Sequence, residues 1–308
     1  MRLRPMCLSM AETIPPADVL TRLKSLLPRR FRRDLPVVPV VRLAGVIGIS
    51  TPLRPGLTIS GVAKTLERAF AYRRARAVAL VINSPGGSAV QSHLIFRRIR
   101  ELAEEKNVPV LAFVEDVAAS GGYMIACAAD EIICDVSSIL GSIGVVGSSF
   151  GFTGLMQKLG VERRVHTAGE RKVMLDPFLP EKEEDVERIK AIQRDIHATF
   201  IALVKGRRGT RLTGPETALF SGEYWVGNKA IELGLADQVG DIRAVLRARY
   251  GDQVATPLVA GERGLFGRRV PGIGGERAGF APGWAGAGLA DEIMSTLEAR
   301  ALWGRYGL

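Results

Sequence analysis

Ser120 stands in the run Val117-Ala-Ala-Ser-Gly-Gly-Tyr123, behind an apolar stretch and ahead of a helix-forming one. A serine at such a strand-to-helix turn is exposed, and the free N–H groups at the helix start point toward negative charge developing beside it. The glycines that follow let a ligand backbone approach closely. A serine that merely caps a helix gives the same local pattern, so this run alone leaves both readings open. A second loop bears on the choice. Asn83-Ser-Pro-Gly-Gly87 follows Ala77–Ile82, a continuous apolar run of the kind that forms a parallel strand covered on both faces. The loop therefore falls at the carboxyl end of a sheet, the edge where Ser120 is expected and where open α/β folds place ligands. A Pro-Gly-Gly turn offers an unpaired N–H, which makes Gly86 and Gly121 the expected donors to an oxyanion. Losing one such donor typically costs about 3 kcal/mol of transition-state stabilisation.

Most serine hydrolases use a histidine base. The chain has three, His93, His166 and His197. His93 lies in the helix after the Pro-Gly-Gly loop and His197 on a long helix. Neither has a nearby carboxylate to orient it, so both are expected to be structural or exposed. His166 is expected at a strand position before Thr167-Ala-Gly. Cys7, Cys127 and Cys134 have no metal-type spacing and read as reduced thiols. Neither a metal nor an organic cofactor is expected.

These residues need a scaffold. Val37–Ile49 reads as a buried strand and Ser60–Arg73 as a helix with Val62, Leu66 and Phe70 on one face. A helix over 89–106 leads into a strand over Pro109–Val114, a helix runs from Ser120 to about Ala129, and Glu131–Asp135 is a short strand. Alternating strands and helices imply right-handed βαβ units. The stretch 181–207 is a long amphipathic helix with Val186, Ile189, Ile192, Ile196, Phe200 and Leu203 on its apolar stripe. Residues 213–249 read as two further short helices. The expected organisation is a basic arm over 1–35, a catalytic domain over 36–250, a Gly-rich linker over 251–288 and an amphipathic helix within 289–308.

Composition narrows the classes. At 308 residues, with 47% hydrophobic and 24% charged residues, the chain is long and apolar enough to fold around a large core. No run reaches the roughly 20 apolar residues of a membrane span, and no apolar segment behind the basic start suggests a cleaved leader. These features suggest a cytoplasmic protein. The net charge of +10 is concentrated at the start, where residues 1–35 hold eight Lys/Arg against three Asp/Glu. The leucines and bases of residues 20–33 can lie on an anionic membrane surface at the inner face of the cell membrane, or simply form a solvated arm. Aromatic residues do not interleave with the bases, so nucleic acid is not an expected partner.

Ile82-Asn-Ser-Pro-Gly-Gly87, Ala118-Ala-Ser-Gly-Gly-Tyr123, Gly141-Ser-Ile-Gly-Val-Val146 and Thr167-Ala-Gly-Glu-Arg-Lys172 together resemble, in order and nearly in spacing, the motifs of the signal-peptide-peptidase A/SohB family of serine–lysine peptidases. The resemblance covers roughly 36–250. It implies an α/β fold of the ClpP/crotonase-like type, a core of repeated ββα units with flanking helices. It also implies roles: Ser120 as nucleophile, Lys172 as general base, Ser142 holding the lysine amine, Gly86 and Gly121 donating to the oxyanion, and Gly87 and Gly122 lining the substrate groove. A lysine with an ordinary pKa of about 10.4 cannot accept a proton at neutral pH. Burial beside apolar groups depresses it, and Val173-Met-Leu175 is the candidate wall. Arg171 cannot serve, because a guanidinium does not deprotonate.

By the same resemblance the substrates are short or unfolded peptides, including signal-peptide remnants, with small or apolar residues at the scissile bond. The single-domain form of the family builds rings in which nucleophile and base come from adjacent protomers, so a homo-oligomer is expected. The membrane anchor of the better-known members has only the basic arm in its place, which leaves signal-peptide remnants open as substrates, and no internal repeat is visible. Two other readings remain. A crotonase-type acyl-CoA enzyme would need carboxylates, of which Glu115 and Asp116 are nearest. An inactive peptide-binding scaffold would dispense with Ser120 or Lys172. A Clp-type base is disfavoured because no histidine occurs between Ser120 and His166.

Overall fold

The computed structural model describes residues 35–48, 56–169, 171–260 and 285–308. The basic arm and most of the Gly-rich stretch lie outside these residues. The apolar runs at 77–82 and 109–114 form the central strands β2 (Val78–Ser84) and β3 (Val110–Ala119), flanked by β1 (Val40–Ala44) and β4 (Glu131–Cys134). β1, β2, β3, β4 and the short β7 (Gln238–Val239) lie side by side, all parallel. Successive residues of β2 and β3 serve opposite layers. Val78, Leu80, Ile82, Val110, Ala112 and Val114 face the larger core, whereas Ala79, Leu111 and Phe113 face a smaller one closed by Leu246. Burial on both faces is why these strands read as unbroken apolar runs.

The larger core is covered by α1 (Ile59–Phe70), α2 (Ala89–Lys106) and α3 (Gly121–Ala126). α1 starts at Thr58, whose hydroxyl accepts the Gly61 N–H, and buries Val62, Leu66 and Phe70 as its spacing predicts. α2 starts at Ser88, which accepts the Gln91 N–H, and ends at Asn107 in the left-handed conformation. The smaller core is covered by α8 (Ile242–Tyr250).

Three expectations need correction. Residues 213–249 hold more than two helices. Besides α8 they form α6 (Glu216–Leu219), β6 (Tyr224–Val226), α7 (Gly227–Glu232) and β7. Residues 255–259, expected within the linker, instead run back along β1: the Val38 N–H donates to the Ala255 carbonyl at 2.8 Å and the Val40 N–H to the Pro257 carbonyl at 2.9 Å. The long helix α5 (Glu183–Arg208) forms as expected, with acids in its first turn and bases in its last. However, only Phe200, Val204 and Arg208 are buried, so most of its apolar stripe meets no core. The final helix α9 covers Ala285–Gly304.

Between β5 (Ile139–Gly141) and α5, the described residues from 146 to 172 carry only α4 (Thr153–Leu159), none of whose residues is buried. Phe150 is 72% exposed, Leu159 65% and Val146 60%. Such exposure over one stretch contrasts sharply with the closed core beneath it.

Candidate active site

The β3–α3 junction shapes the site. β3 delivers Ala119 against Gly141 of β5, and the Ser120 N–H donates to the Gly141 carbonyl at 2.9 Å. Ser120 then turns with φ 51° and ψ −121°, a conformation ordinary for glycine and strained for other residues. No side-chain capping bond is present, so Ser120 does not serve as a conventional cap. Behind it, the wholly buried Tyr123 donates its hydroxyl to the Leu235 carbonyl at 2.8 Å and pins α3 to the body.

The Pro-Gly-Gly loop meets this turn. Gly86 adopts φ 101°, and a methyl group there would lie 2.8 Å from Ser120 Cβ and 2.9 Å from the Gly121 nitrogen. Only glycine allows so close an approach, and it brings the loop backbone against both Ser120 and the first amide of α3. The Gly86 N–H itself donates to the buried Ser84 Oγ at 3.3 Å, at the long end of the range. Gly87 is bridged to Ile47 through its neighbours: the Ile47 N–H donates to Gly86 and the Ser88 N–H to Ile47, both at 2.8 Å. That pairing turns the Gly87 N–H away from Ile47. Gly122 packs flat on β2, where a methyl would stand 2.5 Å from the Ser84 carbonyl, so its role is close packing of α3.

Ser142 follows Gly141 as Ser120 follows Ala119, one step along paired strands, and also has positive φ, 53°. Its N–H donates to the Glu223 carbonyl at 2.7 Å. Ser120 and Ser142 open together into a cavity of about 490 Å³, lined also by Val145, Val146, His197, Gly222, Tyr224 and Tyr306. His197 faces a carbonyl: its Nε2 lies 2.9 Å from the Ile143 oxygen and must be the donor there, which removes that nitrogen as a base. His93 stacks on Phe96, and His166 is exposed in a segment without strand structure. Glu115 is paired with Arg42 at 2.7 Å, and Asp116 accepts from Asn83 at 2.5 Å.

Lys172 is not in this cavity. It is exposed, its N–H donating to the Gly169 carbonyl at 3.2 Å, and the neighbouring Arg171 pairs with Glu184 at the start of α5. Val173, Met174 and Leu175 are partly buried but do not enclose the amine, contrary to the expected dry wall. Within one copy of the chain, Ser120 and Ser142 are brought together and Lys172 is left outside. Among the described residues no cluster suited to a metal ion occurs.

Sequence reasoning missed Tyr224 and Tyr306. Tyr224-Trp-Val is a run of β-formers between Ser221-Gly and Gly227 that marks a short strand, and β6 pairs antiparallel with β5 to set Tyr224 opposite Gly141. Nothing in the local pattern around Tyr306 foretells its place.

A strained serine at the end of a parallel strand, with a glycine-rich loop packed against its turn and a cavity before it, is a serine-hydrolase type of arrangement. Comparison with known proteins sharpens this. Residues 102–254 match "Peptidase family S49". The chain is 30% identical over 192 residues to "Putative protease slr0021" of Synechocystis, covering 60% of this chain and 67% of that protein. It is 30% identical over 217 residues to "Putative signal peptide peptidase SppA" of Enterococcus faecium, covering 70% of this chain and 59% of that one. A 56% identity over 287 residues links it to a Brucella abortus protein named "Na(+)/H(+) antiporter NhaA"; that alignment covers 93% of this chain but only 39% of the Brucella protein. Among the described residues no helix is long and apolar enough to cross a membrane. The chain belongs to peptidase family S49.

Proposed function

We propose that the chain is a serine endopeptidase in which Ser120 attacks the peptide carbonyl and Lys172 of a neighbouring copy is the general base. The observation that carries this reading is the division of the site. Ser120 and Ser142 share one cavity on the buried scaffold, and the lysine sits on an arm that leaves Phe150, Leu155 and Leu159 exposed. A second copy laid against that arm would cover Phe150, Leu155 and Leu159 and bring an amine to Ser142. The same contact would exclude water, and an amine in dry surroundings favours its uncharged form.

In that assembly the amine takes the Ser120 Oγ proton as Oγ bonds to the carbonyl carbon. The oxyanion is held by the Gly121 N–H and by an amide of the Pro-Gly-Gly loop, from Gly86 or from Gly87 beside it. The ammonium then gives its proton to the leaving amine, and a water activated by the same lysine releases the acyl group. Substrates on this reading are short or unfolded peptides, signal-peptide remnants among them, with small or apolar residues at the cleaved bond. The basic arm over 1–35 would hold the assembly at an anionic membrane surface facing the cytoplasm.

Co-expression of Ser120→Ala and Lys172→Ala chains tests the shared site. Each variant alone should be inactive on a fluorogenic peptide, and mixed assemblies should regain a substantial fraction of wild-type activity. Intact mixed assemblies without activity would refute sharing between copies, and full activity of Lys172→Ala would refute the lysine base.

A further inference from the structure

The cavity at Ser120 is walled in part by the segment that follows α9. Arg305 and Tyr306, which follow α9, line it. The Tyr306 hydroxyl donates to Ser142 Oγ at 3.2 Å. Its ring meets that of Tyr224 edge-on, with centroids 5.1 Å apart and planes at 73°. The Tyr224 hydroxyl in turn donates to the Arg305 carbonyl at 3.2 Å. Burial pushes the Tyr306 phenol above its ordinary pKa, against the smaller opposing effect of the Ser142 bond, so the phenol is a neutral donor at physiological pH.

These are the contacts a peptide ligand makes. The bond from Tyr224 reads a main-chain carbonyl, which every peptide has. The ring contact reads an aromatic side chain on the next residue, since edge-to-face pairs add to plain burial. The bond to Ser142 occupies the hydroxyl that the proposed mechanism reserves for the lysine amine. We infer that the pocket between Ser142 and Tyr224 is a binding subsite for an aromatic residue of a peptide, and that Arg305-Tyr306 is its resident ligand, which must leave before substrate and lysine can enter. The subsite is a matter of binding. Only the competition with lysine rests on the peptidase reading above.

A fluorescent Ala-Arg-Tyr amide peptide tests the subsite without turnover. The Tyr306→Ala chain should bind it about tenfold more tightly than wild type, because an internal competitor has been removed. Adding Tyr224→Phe to Tyr306→Ala should abolish that gain, whereas Tyr306→Phe alone should release the cavity only in part. Equal binding by wild type and Tyr306→Ala, or a gain that survives Tyr224→Phe, would overturn the inference. A small fluorophosphonate, which labels an activated serine, separates this from the function itself. Faster labelling of Ser120 in Tyr306→Ala than in wild type supports both. Labelling at one common rate in every variant retains the nucleophile and overturns the self-ligand. No labelling of any variant, with the peptide still bound as expected, retains the subsite and overturns the peptidase reading.

Discussion

The half of the molecule that carries Ser120 and the arm that carries Lys172 are built on opposite principles. Around Ser120 the elements are locked together: α3 is pinned by Tyr123 to Leu235, Gly86 abuts the turn, and β5 holds Ser120 through Gly141. Around Lys172, α4 buries nothing and the first turns of α5 stand clear of the core. A nucleophile must be held to within fractions of an ångström of its oxyanion donors, which calls for a packed scaffold. On the proposed function, a base delivered to another copy must instead reach outward, and apolar residues around it remain exposed until the copies meet.

The sharpest way to break this contrast is to remove the fixed half. Ser120→Ala should lower turnover by on the order of 10⁴-fold or more while leaving the unfolding midpoint and assembly unchanged. An unaltered rate would place the chemistry elsewhere. The open half is tested by Phe150→Glu with Leu159→Glu. On the proposed assembly this pair should shift sedimentation toward single chains and reduce activity with it, and the thermal midpoint of the core should stay within about 2 °C because neither residue packs on it. Loss of core stability instead would mean that the arm belongs to the fold.

A third prediction concerns what closes the base of the scaffold. Arg208, only 2% exposed, donates to both carboxylate oxygens of Asp237 at 2.8 and 2.9 Å and to the Gly234 carbonyl at 2.8 Å. Burial raises the Asp237 carboxyl, but the bonds from Arg208 and from the Ile132 N–H outweigh it and hold the group below its ordinary value. A lowered carboxylate contributes stability that is present above about pH 3.9 and is lost as pH falls through the lower folded value. Asp237→Asn leaves a buried guanidinium without its counter-charge and should cost about 3 kcal/mol. The acid limb of the stability–pH curve should flatten with it. The smallest effect is chemical. Burial pushes the Cys127 thiol to about 12 and the Cys134 thiol to about 11, so neither should react with iodoacetamide in the native protein at pH 8, and both should react in denaturant.

The two regions also differ in how far they could be read from sequence. β2, β3, α1 and α2 were legible because their apolar periods are local and every apolar face finds a partner within the same chain. The pairing of Gly86 with Gly121 followed from strand direction alone. Lys172 was legible as a residue type within a motif, but its position was not, because in one copy of the chain it stands exposed and away from the cavity. α5 shows the same limit: its stripe foretold a helix but not that the stripe would be left half uncovered. Tyr224 lay in a three-residue strand too short to show a period, and Tyr306 meets it across a sequence separation that no local pattern records.

The left-handed turn at Ser120 sets stability and chemistry against each other at a single position. Glycine adopts φ 51°, ψ −121° without penalty, whereas serine stores on the order of 1–3 kcal/mol there. Ser120→Gly should therefore melt roughly 2–4 °C above wild type for each kcal/mol relieved. On the proposed function, a library of this chain sorted for heat resistance alone would enrich the silenced nucleophile, and its best survivors would be its worst catalysts.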